Sequence, residues 1–410
     1  MPVLTESALS IKLPEMIKVR QKFGIHGIND IESAVSNEIY NNTIVKMVKP
    51  GQKIAIAVGS RGIFNLAEIV KTVGNCLKRL GAKPFIVPAM GSHGGGTAEG
   101  QREVLNSYGI NENRIGLPIV SSMEVLKVGE TVDKIPVLMD RVAYESDMIV
   151  PIARIKPHTD YKASIESGLC KMMAIGLGKH EGCSRLHKEG FERFGKVIPE
   201  VAEVIIKQTP IGFGIAIIEN AYDRTAFIKA VIADEILNEE PGMLNVAKSM
   251  MPKIMLPDID VLIVEQIGKD ISGAGMDPNI IGRTTKGKLQ GFEGPDIKRI
   301  IVLSLSENTH GNACGIGLAD FTVKHFLESV NYTSTYANVI ASGNPEAGRI
   351  PIVMENETEA VIAALSCCPG INENNPKIVR IKNTLHVEEI FISKNMMPDI
   401  EGNALFEIVG

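Results

Sequence analysis

The chain has 410 residues, 44% of them hydrophobic and 22% charged, with a formal net charge of −5. Such a length points to two domains, the composition is that of a globular protein, and interspersed charges of both signs exclude the clustered basic face of a nucleic-acid-binding protein. The cysteines show no CxxC spacing, which excludes a zinc ribbon or a disulfide framework and makes a reducing cytoplasm the expected location. The opening MPVLTESALSIKLPEM lacks the basic and apolar regions of a leader, and no run of about 18 apolar residues occurs, so neither secretion nor a membrane span is expected.

From Lys53 the sequence reads as strand (KIAIAVGS), helix (LAEIVKTVGNCLKRLG) and strand (KPFIVPAM), the unit of a parallel sheet. The glycine-rich turn MGSHGGG follows at once, and TAEGQREVLNSYG after it has the spacing of a helix, with Thr97 as its N-cap. MIVPIARI (148–155) and IGFGIAIIEN (211–220) are further strands. SIESGLCKMMAI reads as a mostly apolar helix, and FERFGKVIPEVAEVIIK sets Phe191, Phe194, Val197, Ile198, Val201 and Val204 on one helical face. The prolines of MMPKIMLPDID mark a boundary, giving an N-terminal domain over 1–256. A smaller α/β domain over 257–385 is expected from DVLIVEQIG, RIIVLSLS, DFTVKHFLESV and ETEAVIAALS. KIVRIKNTLHVEEIFIS alternates like strands, and the tail 386–410 is expected to return to the first domain. The fold class is thus α/β, two α/β domains with the active site expected in the cleft between them.

Arg61, His93 and His158 each fall just after a predicted strand, where open α/β sheets place their ligands. A guanidinium at Arg61 suits a carboxylate, although a surface arginine would look the same. Around His93, the glycines Gly94, Gly95 and Gly96 permit positive φ and close approach, and Thr97 opens a helix whose free N–H groups attract anions. The turn is not a nucleotide fingerprint, since neither GxGxxG nor GxxxxGK[ST] occurs, and a tight structural turn is the competing reading. Pro157 disfavours helix at Lys156, which leaves His158 in an extended loop. Lys171 lies among Leu169, Cys170, Met172 and Met173, either snorkelling to water or desolvated into a nucleophile. His180 and His187 offer imidazoles suited to nickel, zinc, copper or iron, without the HExxH of a zinc protease. His310, in SENTHGN, fits a turn.

In combination these residues resemble the nickel-dependent lactate racemase family, whose signatures are matched by GSHGGGTAEGQ and KPHTDYKASIESGLCKMMAIGLGKH. The resemblance spans most of the chain and is strongest from about residue 50 to 190. It implies a nickel pincer nucleotide held covalently by Lys171 through a thioamide, with the turn Gly94–Thr97 beside it. It further implies His187 as a nickel ligand, His93 and His158 as paired acid/base residues, and Arg61 on the substrate carboxylate. The segment 265–283 matches the part of the family that covers the substrate, making Lys269 and Arg283 further substrate-binding candidates. The expected reaction is inversion of a 2-hydroxy acid: a base takes the hydroxyl proton, the cofactor takes hydride, and the planar 2-keto acid is reduced on either face. Val58 stands where lactate racemases have an acidic residue, and Gly94 where they have an arginine. These departures point away from lactate itself and towards a larger or differently charged 2-hydroxy acid, such as malate, an aryl hydroxy acid or a sugar acid. Two other readings stay open, a metal-dependent hydrolase or lyase using His180 and His187, and a non-catalytic carboxylate or phosphate binder using Arg61 and the glycine turn.

Overall fold

The first strand, β1 (Met16–Gln21), finds its partners far along the chain. A computed structural model describes residues 4, 11–60, 62–287, 291–372 and 374–409. It divides into a central unit, Gly24–Met251, and a terminal unit composed of Met1–Phe23 with Pro252–Gly410.

In the central unit the strands are β2 (Lys53–Val58), β3 (Lys83–Pro88), the hairpin of β4 (Val125–Glu130) with β5 (Pro136–Asp140), β6 (Met148–Arg154), β7 (Phe213–Glu219) and β8 (Thr225–Ile232). Five of them form one sheet in the order β3-β2-β6-β7-β8, parallel throughout except for β8. Its principal helices are α1 (Leu66–Arg79), α2 (Ala98–Ser107), α3 (Lys179–His187), α4 (Phe191–Gln208) and α5 (Ile236–Met250).

Alternation along β2 decides what covers each face. Ile54, Ile56 and Val58 enter a core with Leu66, Ile69 and Val73 of α1. Ala55 and Ala57 face the opposite core with Cys170, Met173, Leu177, Phe194 and Val197. Small side chains on that second face let the segment around Lys171 lie close to the sheet. The helical stripe expected over 191–207 is present, with Phe194, Val197, Ile198 and Val201 buried and Phe191 and Val204 half-buried. SIESGLCKMMAI does not form the single helix its composition predicts. Only Leu169–Lys171 is α-helical, and Met172–Gly176 widens into a π-helical turn. Such turns are uncommon and recur at functional sites.

The terminal unit carries β9 (Asp258–Ile267), β10 (Asp296–Leu305), β11 (Phe321–Val323), β12 (Ile352–Met354), β13 (Ile378–Ile381), β14 (Glu389–Ser393) and β15 (Phe406–Ile408). With β1 they form one sheet in the order β12-β11-β10-β9-β13-β14-β1-β15. The run from β12 to β13 is parallel and the remainder antiparallel. The division falls at 251/252, inside the proline-bearing segment MMPKIMLPDID, and residues 386–410 lie in the terminal unit together with β1. The physical reason is pairing: β14 buries Ile390 and Ile392 between β13 and β1, opposing Ile392 to both Val379 and Ile17. Among the described residues, no helix is long and apolar enough to cross a membrane.

Ile392→Ala should therefore lower the stability of the terminal unit by about 2–5 kcal/mol, the usual range for emptying a buried aliphatic site. Urea denaturation followed by peptide-resolved hydrogen exchange checks this, and the peptides of 24–251 should keep their protection.

Candidate active site

Strand order reverses around β2, which is flanked by β3 on one side and β6 on the other, and the crevice beyond the carboxyl ends at such a reversal is where parallel sheets bind ligands. His93 follows β3 and His158 follows β6. Arg61 follows β2 and lies outside the described residues.

The glycine density around His93 has a local cause. Gly94, Gly95 and Gly96 have φ of +64°, +65° and +65°, a left-handed run that side chains disfavour. The turn also folds back against α2, so that a Cβ on Gly94 would lie 2.5 Å from the Gly100 carbonyl carbon. Thr97 caps α2 as expected, its hydroxyl accepting from Gly100 N–H at 3.1 Å. His93 itself is exposed at the head of this turn.

His158 is held from below by Glu166, a carboxylate with no solvent exposure. Its Oε2 accepts the His158 N–H at 2.7 Å and lies 3.2 Å from Lys162 Nζ, while Oε1 lies 2.8 Å from Lys248 Nζ. The ring's Nδ1 accepts the Asp160 N–H at 3.1 Å, so neutral His158 carries its proton on Nε2. The Asp160 carboxylate, 3.6 Å from Nδ1, is placed to stabilise the ring when it is protonated.

Phe191 connects His158 to His187, its ring centroid lying 5.8 Å from each imidazole. At the end of α3, His187 Nδ1–H donates to the Cys183 carbonyl at 2.7 Å, which leaves Nε2 as the lone-pair nitrogen. Burial opposes protonation of His187, but its contacts with the Cys183 thiol and carbonyl prevail and raise its pKa above the usual histidine value. The thiol is correspondingly drawn down, the His187 contact outweighing burial. Lys171 is near enough for its ammonium to oppose protonation of His187, and its side chain is half-buried.

Beneath Lys171 lies a group that sequence reasoning missed. Glu240 on α5 is 1% exposed and accepts the Cys170 N–H at 3.0 Å. A Cβ on Gly168 would come within 2.4 Å of its Oε1, so the glycine makes room for the carboxyl. Glu166 was equally illegible, since one acidic residue in a lysine-rich stretch reads as a solvated charge. Lys179 likewise has no solvent exposure. Burial of these groups depends on the tertiary fold, and no local pattern announces it. His180 packs beside Gly96, where a Cβ would meet its Nδ1 at 3.1 Å.

In the terminal unit, Lys269 follows β9, and its Nζ donates to Asn338 Oδ1 at 2.7 Å. The Arg283 guanidinium is engaged within the fold, 2.9 Å from both Asp320 Oδ2 and the Ile297 carbonyl. That is a structural use which its placement in a substrate-covering segment did not anticipate. His310 sits in a turn with φ of +50°. Among the described residues, no three His, Cys, Asp or Glu side chains gather as a metal site.

His93 and His158 thus follow separate strands of one parallel sheet, an arrangement that lets two imidazoles approach a bound carbon centre from different directions. Comparison with known proteins bears on the N-terminal part of the chain. Residues 7–195 match the family model described as the lactate racemase N-terminal domain. Its fold is similar to that of the lactate racemase apoprotein from Thermoanaerobacterium thermosaccharolyticum, with a TM-score of 0.52 over 90% of this chain and 99% of that one, at 12% identity. No curated protein matches the sequence.

Burial pushes the Glu240 carboxyl from 4.5 up to about 7. Between these values the folded chain keeps a proton that the unfolded chain has lost, so stability falls as pH rises through the window and is level above it. A shift of that size corresponds to roughly 3 kcal/mol. Glu240→Gln should therefore gain up to about 3 kcal/mol relative to the parent protein between pH 4.5 and 8, as measured by urea denaturation across that range.

Proposed function

We propose that the chain is a racemase or epimerase of a 2-hydroxy acid, with a nickel pincer nucleotide carried on Lys171, nickel ligation by His187, and His93 and His158 as the acid/base pair. The observation that carries this reading is the setting of His187. Its Nδ1–H is committed to a carbonyl, which leaves Nε2 to bind a metal, and the Phe191 ring lies 5.8 Å from both this imidazole and that of His158. The donor set fits the group: an amine for a covalent tether, an imidazole nitrogen for nickel, and a glycine turn with open space at Gly95 for a phosphate.

When bound, the cofactor supplies reversible hydride acceptance, which spares the protein from stabilising a carbanion. The remaining work belongs to the chain. Arg61 binds the substrate carboxylate in two parallel hydrogen bonds and fixes the carbon that reacts. His93 and His158 exchange the hydroxyl proton, each serving one enantiomer, and a positioned base of this kind contributes about 10²–10⁴-fold. Asp160 stabilises His158 while it holds the proton. Glu166 keeps the His158 backbone in place, and the aromatic rings of Tyr161 and Phe191 limit the swing of the imidazole.

Protein produced together with the cofactor-building enzymes should show a heavy adduct by intact mass, mapping to the peptide that contains Lys171. His93→Ala should retain that adduct and its nickel but lose about 10²-fold or more in racemisation, measured by chiral chromatography over a panel of 2-hydroxy acids. Normal turnover by His93→Ala would exclude the proposed role.

A further inference from the structure

Lys179 is the first residue of α3 and is fully buried with φ of +54°, a conformation that a lysine rarely adopts. Its Nζ lies 3.1 Å from Asp140 Oδ2 at the end of β5. The same ammonium donates to the Pro88 carbonyl at the end of β3 and to Gln101 Oε1 at 3.0 Å. Burial lowers the lysine's pKa and raises that of the aspartate, and the ion pair between them only partly offsets the two shifts.

The contact continues beyond the lysine. Gln101 is also fully buried, and its Nε2 donates to the Gly91 carbonyl at 2.8 Å and to the His93 carbonyl at 3.4 Å. With its oxygen on Lys179 and its nitrogen on two carbonyls of the turn, the amide has a fixed orientation. Lys179 opens the same helix that His187 closes. One connected set of buried hydrogen bonds therefore runs from the helix of His187 to the backbone of His93. A second tie exists where Gly91 N–H donates to the Gly176 carbonyl at 3.2 Å, at the end of the π-turn that follows Lys171.

We infer that Lys179 and Gln101 are positioning residues: by locking the His93 turn to the helix of His187, they hold the acid/base imidazole at one fixed distance from the metal ligand. This rests on the roles proposed above for His93 and His187. Neither residue touches a reacting atom. Their effect is on orientation, and a displacement of about 1 Å at a reacting group can lower a rate by about 10²-fold.

The test uses Gln101→Met, which leaves no buried charge unpaired, and Gln101→Glu, which keeps an acceptor for Lys179 but presents oxygen to the turn carbonyls. Both should raise hydrogen exchange of the Gly91–Gly96 amides by about 10-fold or more in the cofactor-free protein, while peptides of α4 keep their protection. In loaded enzyme both should lower kcat by about 10–100-fold with KM changed by less than about threefold, at unchanged adduct mass and nickel content. Parent-like exchange in Gln101→Met overturns the brace, whatever the activity. Parent-like kcat in Gln101→Glu overturns its catalytic consequence. Increased exchange in both variants, together with a parent protein that racemises nothing in the panel, sustains the brace and counts against the racemase reading instead.

Discussion

An ammonium group withdrawn from water must meet acceptors on every side, because the desolvation it suffers is several kcal/mol unless charge and hydrogen bonds offset it. Much of the central unit's architecture can be understood from how it satisfies that condition at Lys179. The ends of β3 and β5 and the first turns of α2 and α3 are drawn to one point, because each supplies a partner or carries the lysine itself. Gln101 then transmits the constraint to the glycine turn. A non-polar residue at this place would pack without difficulty, but it would leave the turn free to adopt other positions. Ionic burial of this kind contributes specificity of geometry more than net stability.

The same economy of space explains the second core. Ala55 and Ala57 present almost no side chain to the segment that bears Lys171, so the segment lies near the sheet and its amine remains half-buried. Glu240 closes the space beneath, accepting N–H groups at the start of the short Leu169–Lys171 helix. The π-turn then separates this helix from α3. An extra residue in a turn rotates everything after it by about 100°, so the relative facing of Lys171 and His187 depends on that irregularity.

This is why part of the molecule could be read in the sequence and part could not. KIAIAV, KPFIVP and MIVPIAR are short apolar runs bounded by turn residues, and they became β2, β3 and β6; His93 and His158 stand at their carboxyl ends as the pattern required. Thr97 was recognisable because capping is local chemistry. The failures all concern relations between distant residues. SIESGLCKMMAI gave no sign of its π-turn, and Arg283 gave none of its ion pair with Asp320. Lys179 has the appearance of any surface lysine until the fold surrounds it. The alternation of 378–393 correctly indicated strands, but periodicity contains no address, and only the three-dimensional pairing reveals that β14 lies between β13 and β1.

That pairing also imposes an order in time. Arg20 on β1 bonds to Glu389 on β14, 369 positions later. At about 5–20 residues per second a ribosome needs roughly 20–75 s to make the intervening chain. Throughout that interval β1 has no strand to pair with, whereas every strand of the β3-β2-β6-β7-β8 sheet is complete once Ile232 has been made, long before the interval ends. The nascent chain is thus committed to maturing from its middle outward, and its earliest strand is among the last to be placed.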